Sequence, residues 1–118
     1  MSSTQQLDST RILRTVPLEH GFHFTLSGGV YSGLTAVSLA DFSAKLETAD
    51  KDSIFFHYKR GDFQNWIDDT LGDNELANRM CFVDPKLKGE RLRKQLIKMV
   101  KARINELEGP WLSRPSAP

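Results

Sequence analysis

Three histidines are the side chains of this sequence best suited to metal or acid–base chemistry. His20 and His23 form an HxxH spacing, and His57 lies far downstream. In an extended chain a spacing of three places His20 and His23 on opposite faces, so only His23 and His57 could share a two-histidine, one-carboxylate metal site. The candidates for its carboxylate are Asp62, Asp68 and Asp69. Because no HExxH spacing reinforces such a site, we predict no metal or other cofactor and interpret the imidazoles as hydrogen-bonding groups at the edge of a core.

Nucleophilic catalysis has weaker support in the sequence. Ser32, His57 and Asp62 supply the residue types of a hydrolytic triad, but these types occur in most chains of this length. Cys81 lies between a methionine and a phenylalanine, with no histidine nearby to favour its thiolate, so we expect an inert thiol. No phosphate-binding glycine motif occurs. We therefore predict no catalytic residues, and a metal-dependent or hydrolytic enzyme remains the least favoured function.

Four residues form a candidate binding pocket if the fold brings them together. They are His23, Tyr31, His57 and Arg60. Arg60 also begins the tripeptide Arg-Gly-Asp, which adhesion receptors recognise on exposed loops. We interpret the tripeptide structurally: Gly61 ends one helix in a left-handed conformation, and Asp62 caps the next by accepting backbone N–H bonds.

Charge is segregated along the chain, although the formal net charge is only +1. Residues 41–84 carry ten acidic and five basic residues, a net −5, and residues 86–103 carry eight basic residues against Glu90, a net +7. The opposite blocks could complement each other within the fold, pair two copies, or present a basic face to an anionic partner. Such a basic surface would comprise Lys94, Lys98, Lys101 and Arg103.

Composition favours one ordinary globular domain. The chain has 118 residues, of which 39% are hydrophobic and 26% are charged. No apolar stretch approaches the roughly 20 residues of a membrane span, and the start does not resemble a signal peptide. One cysteine cannot form an internal disulfide. We therefore expect a cytoplasmic protein without a membrane partner.

The chain divides into a tail, a hairpin, a helical body and a second tail. Residues 1–10 are polar and predict a disordered tail, residues 11–108 a single globular domain, and residues 109–118 a proline-rich C-terminal tail. From 22 to 26, alternation places Phe22, Phe24 and Leu26 on one face of a strand. Glycines at 28 and 29 supply a tight turn, and a second strand follows from about 30 to 36, with Gly33 weakening it or marking a bulge.

Helical periodicity replaces the strand pattern after residue 37. Ser38 forms a capping-box-like start, and Asp50 or Asp52 and then Asp73 can cap further short helices. A long basic helix follows from about 90 to 107. Its apolar stripe contains Leu92, Leu96, Met99, Val100, Ile104 and Leu107. Since short helices need not cover this stripe, we expect it to support a homodimer or to bind a helical partner.

Residues 22–107 carry a series of landmarks that resemble a known family. The landmarks are Phe22, His23 and Phe24; Val30, Tyr31 and Gly33; Ala36 to Leu39 with Asp41 and Phe42; Ser53, Ile54, Phe56 and His57; Arg60 to Phe63 with Trp66 and Ile67; and Leu71 to Asp73 with Leu76 and Ala77. In these positions the chain resembles the uncharacterised prokaryotic family called domain of unknown function 5752. The resemblance implies a self-contained domain, and no activity, cofactor or site residue.

These observations predict an α+β fold in which an N-terminal β-hairpin packs on a bundle of short helices with one long basic C-terminal helix. We expect a small non-enzymatic interaction or regulatory module that self-associates or binds another protein. The alternative is a nucleic-acid-binding accessory protein that uses the basic C-terminal helix.

Overall fold

A computed structural model describes residues 2–26 and 28–112, with side chains over 8–26 and 28–109. The elements are α1 Ser2–Leu13, β1 Phe22–Thr25, β2 Tyr31–Ala36, α2 Leu39–Thr48, α3 Lys51–Arg60, α4 Asp62–Trp66, α5 Asn74–Met80 and α6 Gly89–Leu112. A 3-10 turn, Leu18–His20, precedes β1, and a π-helical turn, Ile67–Leu71, follows α4. This is the predicted α+β arrangement of an N-terminal hairpin, short helices and a long C-terminal helix. No helix in the described part is long and apolar enough to cross a membrane.

The N-terminal segment contains a helix, α1, which begins at Ser2. Ser9 and Ile12 are buried, and α1 packs against α6 and α2. The expected boundary at residue 11 therefore falls inside a helix. Tertiary packing of the apolar end of α1 overrides a polar sequence that has little helical pattern of its own.

At the other end, α6 runs on to residue 112, past a break at Gly109, whose φ of 41° and ψ of −163° are not helical. The rest of the predicted proline-rich tail, from residue 113, lies outside the described residues.

The hairpin confirms the predicted bulge. Its strands are antiparallel, with Phe24 paired to Leu34 and Thr25 to Tyr31, so β2 contains two extra residues at this point. Gly33 is one of them and has a φ of 94°, a left-handed conformation that favours glycine. Leu26 is exposed, contrary to the expectation that it shares the buried face of β1, because the strand ends at Thr25.

Aromatic rings make up the centre of the core. Phe22 lies 5.0 Å from both Phe24 and Phe63 and 5.9 Å from Trp66, measured between ring centroids, and Phe42 lies 5.1 Å from Phe63. These rings join the hairpin to α2 and α4. The buried side chains of the core include Phe22, Phe24, Phe42, Leu46, Ile54, Phe63, Trp66, Ile67, Leu76, Leu96 and Val100.

The apolar stripe of α6 is covered by the rest of the domain. Leu92, Leu96, Val100 and Leu107 are buried, and α6 packs against α1, α2, α3 and α5. The expectation that short helices leave this stripe open is therefore wrong, because α1, predicted as a tail, contributes to its cover. The stripe therefore packs mainly within the domain, and Met99 and Ile104 are half-buried at its edge.

Candidate functional site

His57, on α3, is a buried structural group. Its ring lies 4.8 Å from that of Phe22. The backbone N–H of Thr25 donates to its Nε2 at 2.9 Å, and its Nδ1 lies 2.8 Å from a carboxylate oxygen of Asp62. An amide donor requires a lone pair on Nε2, so the hydrogen is on Nδ1 and is donated to Asp62. Both nitrogens of His57 are thus engaged, and the Thr25 bond joins α3 to the end of β1.

Asp62 turns toward His57 and does not cap α4 as predicted. It accepts hydrogen bonds from the side chains of His57 and Arg60, the latter at 3.1 Å, and accepts none from a backbone N–H. The donors of α3 lie closer to this carboxylate than its own helix amides do. Gly61 does adopt the predicted left-handed conformation, with a φ of 78°, between α3 and α4. The Arg-Gly-Asp tripeptide therefore has a structural explanation.

Neither triad nor metal chemistry gains support from this geometry. Ser32 donates its hydroxyl to the backbone carbonyl of Phe24 at 2.6 Å and makes no hydrogen bond with His57. The backbone of Thr25 already occupies the nitrogen of His57 that would serve as a base. Within residues 8–26 and 28–109, no three His, Cys, Asp or Glu side chains are grouped to hold a metal ion.

The four residues predicted to form one pocket occupy two separate places. His23 and Tyr31 lie on the outer side of the hairpin. There Thr35 Oγ1 is 2.9 Å from His23 Nδ1 and 2.6 Å from the Tyr31 hydroxyl. His57 is buried behind the hairpin, and Arg60 is exposed on α3.

The outer side of the hairpin is an open surface, here called the hairpin face, that comprises Leu18, His23, Thr25, Tyr31 and Thr35. These residues line a shallow groove of about 430 Å³. Leu18 is 66% exposed and Tyr31 is 53% exposed, so two large hydrophobic side chains border the same groove in contact with solvent. Residues 20–37 contain no Asp, Glu, Lys or Arg, in a chain that is 26% charged. That uncharged run is the sequence signal that could have located this face.

A second surface depends on which basic residues of α6 remain free. Three of them are used inside the fold, so the opposite charges partly complement each other within the chain. Arg93 bonds to Glu90 and to backbone carbonyls, Lys101 lies 3.5 Å from Glu47, and Arg103 binds Asp73. Arg103 was predicted on the basic surface, but its side chain is only 15% exposed. Its partner Asp73, the residue that caps α5, brings it into the domain.

The Arg103 pair belongs to a network that sequence reasoning missed. Asp73 is fully buried and accepts from Arg103 Nε at 2.9 Å, while Glu106 accepts from both Arg103 and Arg79. Burial lowers the pKa of Arg103, but its bonds to Asp73 and Glu106 outweigh that effect and raise it. The pKa of Glu106 is lowered, chiefly by Arg79. Arg103 and Glu106 therefore stay charged, and the network ties α5 and the residue that caps it to α6.

The solvent side of α6 keeps three cations without partners. Arg91, Lys94 and Lys98 are exposed, and none makes an ion pair with another described residue. Their spacing of three and four residues aligns them on one side of the helix. The predicted basic surface thus consists mainly of Lys94 and Lys98, with Arg91 added and Arg103 removed.

Comparison with known proteins places the chain in a family. Residues 58–118, just over half of the sequence, match a family of unknown function, DUF5752. The chain belongs to this family. The matched region covers the end of α3 and all of α4, α5 and α6, whereas the hairpin precedes it. No curated protein and no solved structure matches the chain. DUF5752 brings no activity with it, so the function must be argued from the surfaces.

Proposed function

We propose that this DUF5752 protein is a non-enzymatic interaction module that self-associates through its hairpin face. The observation that carries the proposal is the exposure of Leu18 and Tyr31 beside a groove whose lining contains no Asp, Glu, Lys or Arg. The centres of protein interfaces are depleted in charge and enriched in tyrosine. The hairpin face has both properties.

A second copy of the chain is the partner that fits this face. Two hairpin faces can meet around a two-fold axis without like-charge repulsion, since residues 20–37 carry no formal charge. The hydroxyl of Tyr31 is held by Thr35 at 2.6 Å, so less side-chain freedom is lost when the ring is covered. By contrast, the solvent side of α6 would repel its own copy.

The test is sedimentation velocity of the purified chain and of two variants over a range of micromolar concentrations. Leu18→Glu places a charge in the hairpin face and should give a monomer, because pairing two copies would then bury two unpaired carboxylates. Phe82→Glu is the matched control, since Phe82 is 86% exposed but lies between α5 and α6. It should dimerise like the parent.

Salt dependence separates this interface from charge pairing between copies. An uncharged interface should survive high salt, whereas pairing of the +7 and −5 segments should weaken as salt screens it. A parent chain that stays monomeric, or a dimer lost in Phe82→Glu but kept in Leu18→Glu, would contradict the proposal.

A further inference from the structure

The free cations of α6 have no explanation in the stability of the fold. Arg91 lies in the first turn of the helix, where the helix dipole disfavours positive charge. Lys94 and Lys98 are also four residues apart, a spacing at which like charges repel. Lys94 and Lys98 line a groove with Glu47 and Glu90, but neither lysine forms an ion pair with a described residue. Their arrangement therefore suits an anion that comes from outside the fold.

Helix α3 extends this positive surface across the domain. Arg93 donates to the backbone carbonyl of Ala49 at 2.7 Å, which holds the start of α6 against the turn that leads into α3. Lys51 follows that turn directly. Lys51 and Lys94 both act on Glu90, whose pKa is lowered mainly by Arg93 and further by these two lysines. The start of α3 therefore lies beside the start of α6, with Glu90 near both Lys51 and Lys94.

Two aromatic rings lie further along the same side of α3. Phe55 and Phe56 are half-buried and line a groove of about 480 Å³ with Asp52, Lys59 and Arg60, so the groove has one more cation than it has anions. The Lys59 ammonium lies 5.8 Å from the centre of the Phe55 ring, and the Arg60 guanidinium lies 5.1 Å from that of Phe56. Lys51, Phe55 and Lys59 follow one another at intervals of four residues, so they form one row along the helix.

We propose that this surface of α3 and α6 binds single-stranded nucleic acid. Arg91, Lys94 and Lys98 bind backbone phosphates, and the groove at Phe55 and Phe56 receives unpaired bases. Proteins that bind single strands combine a positive track with aromatic rings on which bases stack. Stacking requires bases that are not already paired, so the rings favour a single strand over a duplex. This site is separate from the hairpin face and does not depend on self-association.

The experiment measures fluorescence anisotropy of labelled single-stranded RNA, single-stranded DNA and duplex DNA of equal length, titrated with the full chain at several salt concentrations. Lys94→Gln with Lys98→Gln should weaken single-strand binding. It should also reduce the slope of log affinity against log salt by about 1.4, or about 0.7 for each lost phosphate contact. The matched control is Lys86→Gln with Lys88→Gln, which removes equal charge from the loop before α6 and should change the slope far less.

A second variant tests the bases separately from the phosphates. Phe55→Leu keeps an apolar side chain but removes the ring, so it should weaken single-strand binding about fivefold or more with an unchanged salt slope. Thermal melting of each variant confirms that it is folded. The proposal is overturned if the parent chain does not bind single strands, or if it binds duplex DNA as tightly. It is also overturned if Lys86→Gln with Lys88→Gln loses as much affinity for single strands as Lys94→Gln with Lys98→Gln, or if folded Phe55→Leu binds single strands like the parent.

Discussion

The buried pair of Asp73 and Arg103 should be the most sensitive polar contact of the domain. Asp73 has no exposed surface and accepts from Arg103 Nε at 2.9 Å, from its Nη2 at 3.1 Å and from the backbone N–H of Leu76 at 3.1 Å. Arg103→Met keeps most of the side-chain volume but removes the cation. The Asp73 carboxylate then stays buried with one amide donor and no countercharge.

Removing one partner of a buried ion pair costs about 3–5 kcal/mol of the free energy of unfolding. The unfolding entropy of a chain of this length is about 0.25 kcal/mol per kelvin, so the melting temperature should fall by about 12–20 °C. Arg103→Met together with Asp73→Asn should recover part of this loss, because an amide is cheaper to bury than a carboxylate.

Circular dichroism during urea unfolding at neutral pH measures this loss. Lys101→Met is the control on the same helix. The Lys101 ammonium lies 3.5 Å from a carboxylate oxygen of Glu47, and the two side chains are 62% and 53% exposed. An exposed pair of this kind contributes about 1 kcal/mol or less. An Arg103→Met protein that unfolds at the same urea concentration as Lys101→Met would refute the reasoning.

Three further outcomes are expected. Trp66→Ala should cost about 3–5 kcal/mol in urea unfolding, since the indole is buried in the aromatic core and donates to a backbone carbonyl at 2.9 Å; parent-like unfolding would contradict this. Gly61→Val should lower the melting temperature, because the left-handed backbone alone disfavours a branched residue, although a Cβ at this position meets no atom within 4 Å. An unchanged melting temperature would show that the backbone of the turn can change conformation to accept valine. Burial raises the pKa of Asp41, but its bond to Lys45 at 2.7 Å and the N–H of Val37 outweigh this and lower it. The contribution of ionised Asp41 to the free energy of unfolding is therefore present above pH about 4 and is lost as pH falls through the lowered pKa. Asp41→Asn should make the free energy of unfolding depend less on pH in the acid range.

Local sequence signals determined the start and end of several elements. Ser38 accepts from the backbone N–H of Asp41, Asp73 from that of Leu76, and Gly61 adopts the left-handed conformation between two helices, all as predicted. Each signal depends on groups within about one helical turn, so neighbouring residues suffice to specify it. The core was equally predictable, because periodicity shows which side of each element is apolar.

The candidate surfaces were only partly predictable. Alternation along β1 placed His23 on the outer side, where Tyr31 joins it across the strand pair. The separation of Arg60 and His57 from these two residues required the packing of α3 behind the hairpin. Register within a hairpin is a local property, whereas the side on which a helix packs is not.

Tertiary structure alone decided which charges are free and which faces are open. Asp62 turned to His57, and Arg103 reached Asp73 thirty residues away in sequence. Helix α1, polar in sequence, became ordered by packing on α6 and helped to close its apolar stripe. The same assembly left Lys94 and Lys98 unpaired. A side chain's partner depends on groups brought near it by distant parts of the chain, and no spacing in the sequence encodes that proximity.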